Sequence, residues 1–160
     1  MFSTVGSVVE GEPPSIAAID DASCGARVDR LMAIAHLPAT ARIALIGRHT
    51  LPSLLALLKH GCAAVRCLRP GAPAPDREVA DLAWIVDVEG DEELDEALRA
   101  ARSRVGAAGR VVVEGAGCHC RCGLSAIRDH AIAAGLDILS FDHKHNRVVL
   151  AVAPRLALAA

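Results

Sequence analysis

Three cysteines at alternate positions, Cys118, Cys120 and Cys122, are the densest chemistry-bearing group in the chain. In an extended segment, side chains two apart point the same way, so three sulfurs could face one side. Thiolates suit soft metals such as zinc or copper(I). The spacing is not the C-x-x-C knuckle of zinc modules. A second group, Asp142-His143-Lys144-His145, follows in a turn. If the two segments meet, the imidazoles of His143 and His145 would join the thiolates as ligands of a soft metal ion. The alternative is a set of surface thiols and solvated histidines. Cys24, Cys62 and Cys67 read as small packing residues.

A different chemistry is suggested by Gly47-Arg48-His49-Thr50, between an apolar run and a helix pattern. Arg48 and His49 could bind an anion beside a helix N-terminus, or simply fill the loop. Arg69 stands at the end of another apolar run. Asp87 and Glu89 follow the Trp84 segment, where a carboxylate could take a proton or hold an amine. Glu89 could equally serve the first turn of a helix. His36 and His60 lie near helix ends, where an imidazole suits the dipole. No Ser/His/Asp order and no Walker loop occurs.

The elements that must position these residues alternate. Val28, Leu31, Met32 and Ala35 make one apolar stripe, predicting a helix over 24–36 that Pro38 ends. Residues 42–46 read as a buried strand and 51–60 as a helix with Pro52 in its first turn and Gly61 as its stop. A strand over 63–68 completes a parallel strand–helix–strand unit. Residues 69–75 are a proline-dense linker, and 81–88 a buried strand carrying the only Trp.

The clearest helix is 91–105, with Leu94, Leu98, Ala101 and Val105 on its stripe. Its acids come first and its arginines last, as the dipole favours. Gly106 is the expected stop. A strand over 110–114, a helix over 125–134 and two strands over 136–141 and 147–153 follow. The last two are close enough to form a hairpin. The pattern predicts an α/β fold: three layers, α/β/α, doubly wound, with a mostly parallel sheet of about six strands and a C-terminal antiparallel hairpin. Residues 1–22 read as an arm, 23–155 as the domain and 156–160 as a tail.

Composition narrows the classes. One Trp, two Phe and no Tyr leave no aromatic platform for stacking bases. A net charge of −2 without a basic run opposes binding to nucleic-acid phosphates. No apolar run is long enough to span a bilayer, and the first twenty residues lack the pattern of a secretory signal. The expected setting is cytoplasmic, with the six cysteines as thiols.

Residues 97–115, ALRAARSRVGAAGRVVVEG, are similar to the helix, glycine turn and fifth strand of Rossmann-like class I S-adenosylmethionine-dependent methyltransferases. Residues 127–155, IRDHAIAAGLDILSFDHKHNRVVLAVAPR, resemble the family's last helix and its strand-six/strand-seven hairpin. With the helix at 24–36, the resemblance covers residues 24–155. It implies a strand order of 2-1-4-5-7-6 in family terms. That order would place the cysteine segment and the His143/His145 turn on one edge of the sheet.

The resemblance also implies an S-adenosylmethionine cleft lined by Gly47, Arg48, His49, Arg69 and Asp87. The chain departs from the family there. Only Gly47 stands where a glycine-rich loop is usual, and Arg69 stands near the usual acid of the second strand. The linker replaces the third strand and its helix. The implied protein is a trimmed, degenerate methyltransferase-like domain, a binding or assembly module that forms a homo-oligomer or meets a protein partner. The alternatives are an active methyltransferase and a soft-metal or thiol-binding protein. A nicotinamide domain could use Arg69 on a 2′-phosphate, but no G-x-G-x-x-G follows the first strand.

Overall fold

A computed structural model describes residues 21–62, 64–72, 79–115 and 124–154. In chain order the elements are α1 (Asp21–Ala35), β1 (Arg42–Ile46), α2 (Leu51–Lys59), β2 (Ala64–Leu68), β3 (Ala80–Ile85), α3 (Gly90–Arg104), β4 (Val105–Glu114), α4 (Leu124–Ala133), β5 (Leu136–Asp142) and β6 (Arg147–Val152). The sheet runs β2-β1-β3-β4-β6-β5. The first four strands are parallel, and β6 is antiparallel to both β4 and β5. In family terms this is the expected 2-1-4-5-7-6.

Strand periodicity builds the layers. Ile43, Leu45, Leu82, Trp84, Val112 and Val149 face one side, against Val28, Leu31, Met32 and Ala35 of α1 and Ala56 and Leu57 of α2. Ala44, Ile46, Ala83, Ile85, Val111 and Val113 face the other, against Leu94, Leu98 and Ala101 of α3 and Ile127 and Ala131 of α4. Residues that alternate along each strand therefore fill two separate cores. The central strands are apolar on both faces, as parallel strands covered by helices must be.

Two local expectations change. β3 ends at Ile85 rather than running to residue 88, because Asp87 takes a left-handed φ of 50°. The expected turn at residues 106–109 is part of β4, which starts directly after α3. Ala80 pairs with Val105 and Leu82 with Arg110, so the extra residues form a bulge. The bulge needs small side chains: a Cβ on Gly109 would lie 2.8 Å from that of Val105. The expectations for the arm up to residue 20 and for the tail at 156–160 fall outside the described residues.

Candidate functional site

The carboxyl ends of the parallel strands define one edge of the sheet. Strand order reverses between β1 and β3, so a ligand crevice is expected outside their ends. Gly47 sits at that point. Its N–H donates to the Leu68 carbonyl at 3.1 Å, and the Val86 N–H donates to the Ile46 carbonyl at 2.9 Å. A Cβ on Gly47 would fall 1.9 Å from the Val86 carbonyl oxygen. The glycine is thus required by the close approach of the β1 loop to the end of β3.

Beyond Gly47, two side chains reach from the β1 loop toward the start of α3. Arg48 donates through Nε to Glu93 at 2.7 Å and through Nη1 to Glu89 at 3.0 Å. The hydrogen bond and charge of Glu93, then the charge of Glu89, hold the Arg48 guanidinium above its ordinary range. Glu93 also accepts the backbone N–H of Glu89 at 2.7 Å, which secures the helix start that Arg48 grips. His49 Nδ1 bonds the carboxylate of Asp87. Arg48, His49 and Asp87 are therefore brought together across the β1/β3 junction. Arg69 stands apart, exposed at the end of β2.

A second constellation lies farther along the same edge, at the ends of β4 and β6. Glu114 and Arg147 face each other in register. Glu114 Oε1 accepts from Arg27 Nε at 2.8 Å and from Arg147 Nη2 at 3.1 Å. Its Oε2 accepts from Trp84 Nε1 at 2.7 Å. The Arg27 guanidinium lies 5.1 Å from the Trp84 ring centre, at cation–π distance. Arg147 Nη2 also donates to the backbone carbonyl of Arg27 at 3.0 Å. The Arg147 side chain is 1% exposed. Its Nε and Nη1 are buried and have no hydrogen-bond partner among the described residues.

This cluster was missed in the sequence. Its signals were a charge at the head of an apolar strand, Arg147 before VVLAV, and a charge closing VVV, Glu114. Their pairing is visible only once the register of β4 and β6 is known.

The hairpin turn lies on this edge too, where the Gly115 N–H donates to the Asn146 carbonyl at 3.2 Å. Its histidines have local partners. His145 Nδ1 lies 2.7 Å from Asp142 Oδ2, and that hydrogen bond holds the Asp142 carboxyl below its usual range. His143 stacks on Phe141, with ring centres 5.9 Å apart. Cys118, Cys120 and Cys122 lie outside the described residues. Among the described residues no group of three His, Cys, Asp or Glu could hold a metal ion. No described helix is long and apolar enough to cross a membrane.

The architecture has close counterparts among solved structures. A TehB-like SAM-dependent methyltransferase from Corynebacterium glutamicum superposes with a TM-score of 0.57 at 17% identity, over 81% of this chain and 86% of that one. The sugar N-methyltransferase KedS8 from a Streptoalloteichus species gives 0.61 at 12% identity, over 96% and 99%. CalO1, a methyltransferase in calicheamicin biosynthesis solved in an SAH-bound form, gives 0.55 at 20% identity, over 82% and 54%. No protein-family model matches the sequence, and neither does any curated protein. The chain has the Rossmann-like fold of class I S-adenosylmethionine-dependent methyltransferases.

Proposed function

We propose that the chain is a methyltransferase-like domain whose cofactor side is degenerate and which works as a binding or assembly module. The observation that carries this reading is the Arg48 bridge to Glu89 and Glu93, which ties the β1 loop to the start of α3 at the mouth of the crevice. The residues present fit the cofactor poorly. A ribose needs a carboxylate acceptor at the end of the second strand, and Leu68-Arg69 stands there. Asp87, the acid just past the end of β3, is engaged by His49.

Assembly is supported by what the fold leaves uncovered. Among the described residues β2 is an edge strand, and an open edge invites pairing. Leu51, Leu55 and Leu58 of the neighbouring α2 are 63%, 49% and 52% exposed. A homo-oligomer or a protein partner would cover them.

Calorimetric titration with S-adenosylmethionine and S-adenosylhomocysteine tests this reading. The expected outcome is no binding up to millimolar ligand. Saturable micromolar binding would favour the second reading, an active methyltransferase, which the reversal of strand order at the β1/β3 crevice supports. Such an enzyme would act mainly by holding donor and acceptor in line.

A further inference from the structure

The two edges of the sheet are built differently. At the β5 edge the register with β6 shifts between Ile138 and Ser140, and aspartates stand toward both ends of the strand, Asp137 and Asp142. A bulge and charges of this kind blunt an edge against further pairing. The β2 edge has neither device. Ala64–Leu68 pairs with β1 in unbroken register and holds no proline and a single charge, Arg66. Strand alternation fixes which backbone groups stay on its open side. The Leu68 carbonyl accepts from the Gly47 N–H, so Leu68 and Arg66 turn their backbone groups toward β1. The N–H and C=O of Val65 and Cys67 therefore point away from the sheet. Among the described residues no strand pairs with them.

We propose that β2 pairs antiparallel with β2 of a second copy of this chain, across a two-fold axis at Cys67, so that two six-stranded sheets join into one. The inference rests on reading the chain as an assembly module and names its partner. A two-fold contact uses one edge twice and closes at a dimer. Pairing β2 with β5 of another copy would be open-ended and would meet the blunted edge. An axis at Arg66 would set two guanidiniums opposite each other, whereas the axis at Cys67 sets Arg66 opposite Leu68 of the second copy. A five-residue strand pair is small beside the about 1,200–2,000 Å² that a stable dimer buries. The rest comes from α2. It lies over β1 and β2, where Ala56 and Leu57 share a core with Ile43, Leu45 and Val65. The two α2 helices would then run antiparallel about two strand spacings apart, ~10 Å, a helix-packing distance. That brings the exposed Leu51, Leu55 and Leu58 of each copy alongside the other's.

Sedimentation equilibrium of the whole chain is expected to show a concentration-dependent dimer. Cys67→Pro removes an outward N–H and leaves the β1 ladder intact, a change that edge strands tolerate. It is expected to raise the dimer dissociation constant at least about tenfold. A short bismaleimide is expected to join Cys67 to Cys67 between copies, read by peptide mass spectrometry. A monomer at all concentrations, a dimer unmoved by Cys67→Pro, or a dimer without the Cys67–Cys67 product would each overturn the assignment.

Should Cys67→Pro not fold, amide exchange in the native chain decides. Protection of Val65 and Cys67 that fades on dilution supports the dimer. Protection that persists in the monomer means the chain or another partner covers its own edge, and removes it. S-adenosylhomocysteine titrated into the same protein keeps the two readings separate. Nucleoside binding by a dimer removes the degenerate reading and leaves the β2 contact. A monomer silent to the nucleoside removes the β2 contact alone.

Discussion

Two arginine clusters lie on the same edge of the sheet and are built in opposite ways. Arg48 is exposed and has two carboxylates, Glu89 and Glu93, for one guanidinium. Arg147 is buried and shares one carboxylate with a second arginine. Water screens the first cluster, so its ion pairs contribute little to stability, about 0–1 kcal/mol each. The second is screened less, with Arg147 and Glu114 only 1% and 11% exposed, so its charge balance matters more. The difference teaches that the exposed cluster places two carboxylates on one guanidinium at the surface, whereas the buried one ties α1, β3, β4 and β6 together through the Glu114 carboxylate.

The largest expected effect breaks the buried cluster. Glu114→Ala takes from Arg27, Arg147 and Trp84 their shared acceptor, leaving Asp142, opposite Arg147 in register, as the neighbouring carboxylate, and should cost about 3–5 kcal/mol in urea unfolding. Arg147→Met should cost clearly less, because Glu114 keeps its bonds to Arg27 and Trp84. The double variant should recover part of the Glu114→Ala loss. If Glu114→Ala costs under about 1 kcal/mol, the cluster is hydrated rather than buried, and the contrast with Arg48 disappears.

A smaller effect is expected at the β1/β3 junction. Gly47→Ala drives a Cβ into the Val86 carbonyl, and separating the strand ends should cost about 2–3 kcal/mol. Amide exchange should quicken at Val86, whose N–H bonds Ile46. An unchanged melting midpoint would mean that the loop can give way without parting the strands, so that the Arg48 bridge spans a yielding crevice.

The fold was legible where apolar runs are short and bounded. Ile43–Ile46 and Leu82–Ile85 announce buried strands, and Leu94, Leu98 and Ala101 announce the α3 face. The β4 bulge was not legible, since Gly106-Ala107-Ala108-Gly109 reads as a turn and only pairing with β3 makes it strand. The sites were legible by type and not by partner. Arg48 stood out as bulk in a loop, but Glu93 lies 45 residues away and joins it only through the β1/β3 pairing. Arg147 had no visible role, because its partners Glu114 and Arg27 lie 33 and 120 residues away.

The smallest stability effect should come from Arg48→Ala, and it sharpens the comparison most. The variant removes both exposed ion pairs, so its cost should stay below about 1 kcal/mol. Its value lies in ligand binding. If the bridge alone closes the crevice, Arg48→Ala should begin to bind S-adenosylhomocysteine. The expected result is still no binding up to millimolar ligand, because the end of β2 offers Leu68-Arg69 in place of an acid. Adding Arg69→Asp to the same chain supplies that acid, and weak calorimetric binding should then appear. Binding by Arg48→Ala alone would assign the obstacle to the loop. Binding by the double variant only would assign it to the missing ribose partner, a loss that no movement of the Arg48 side chain can repair.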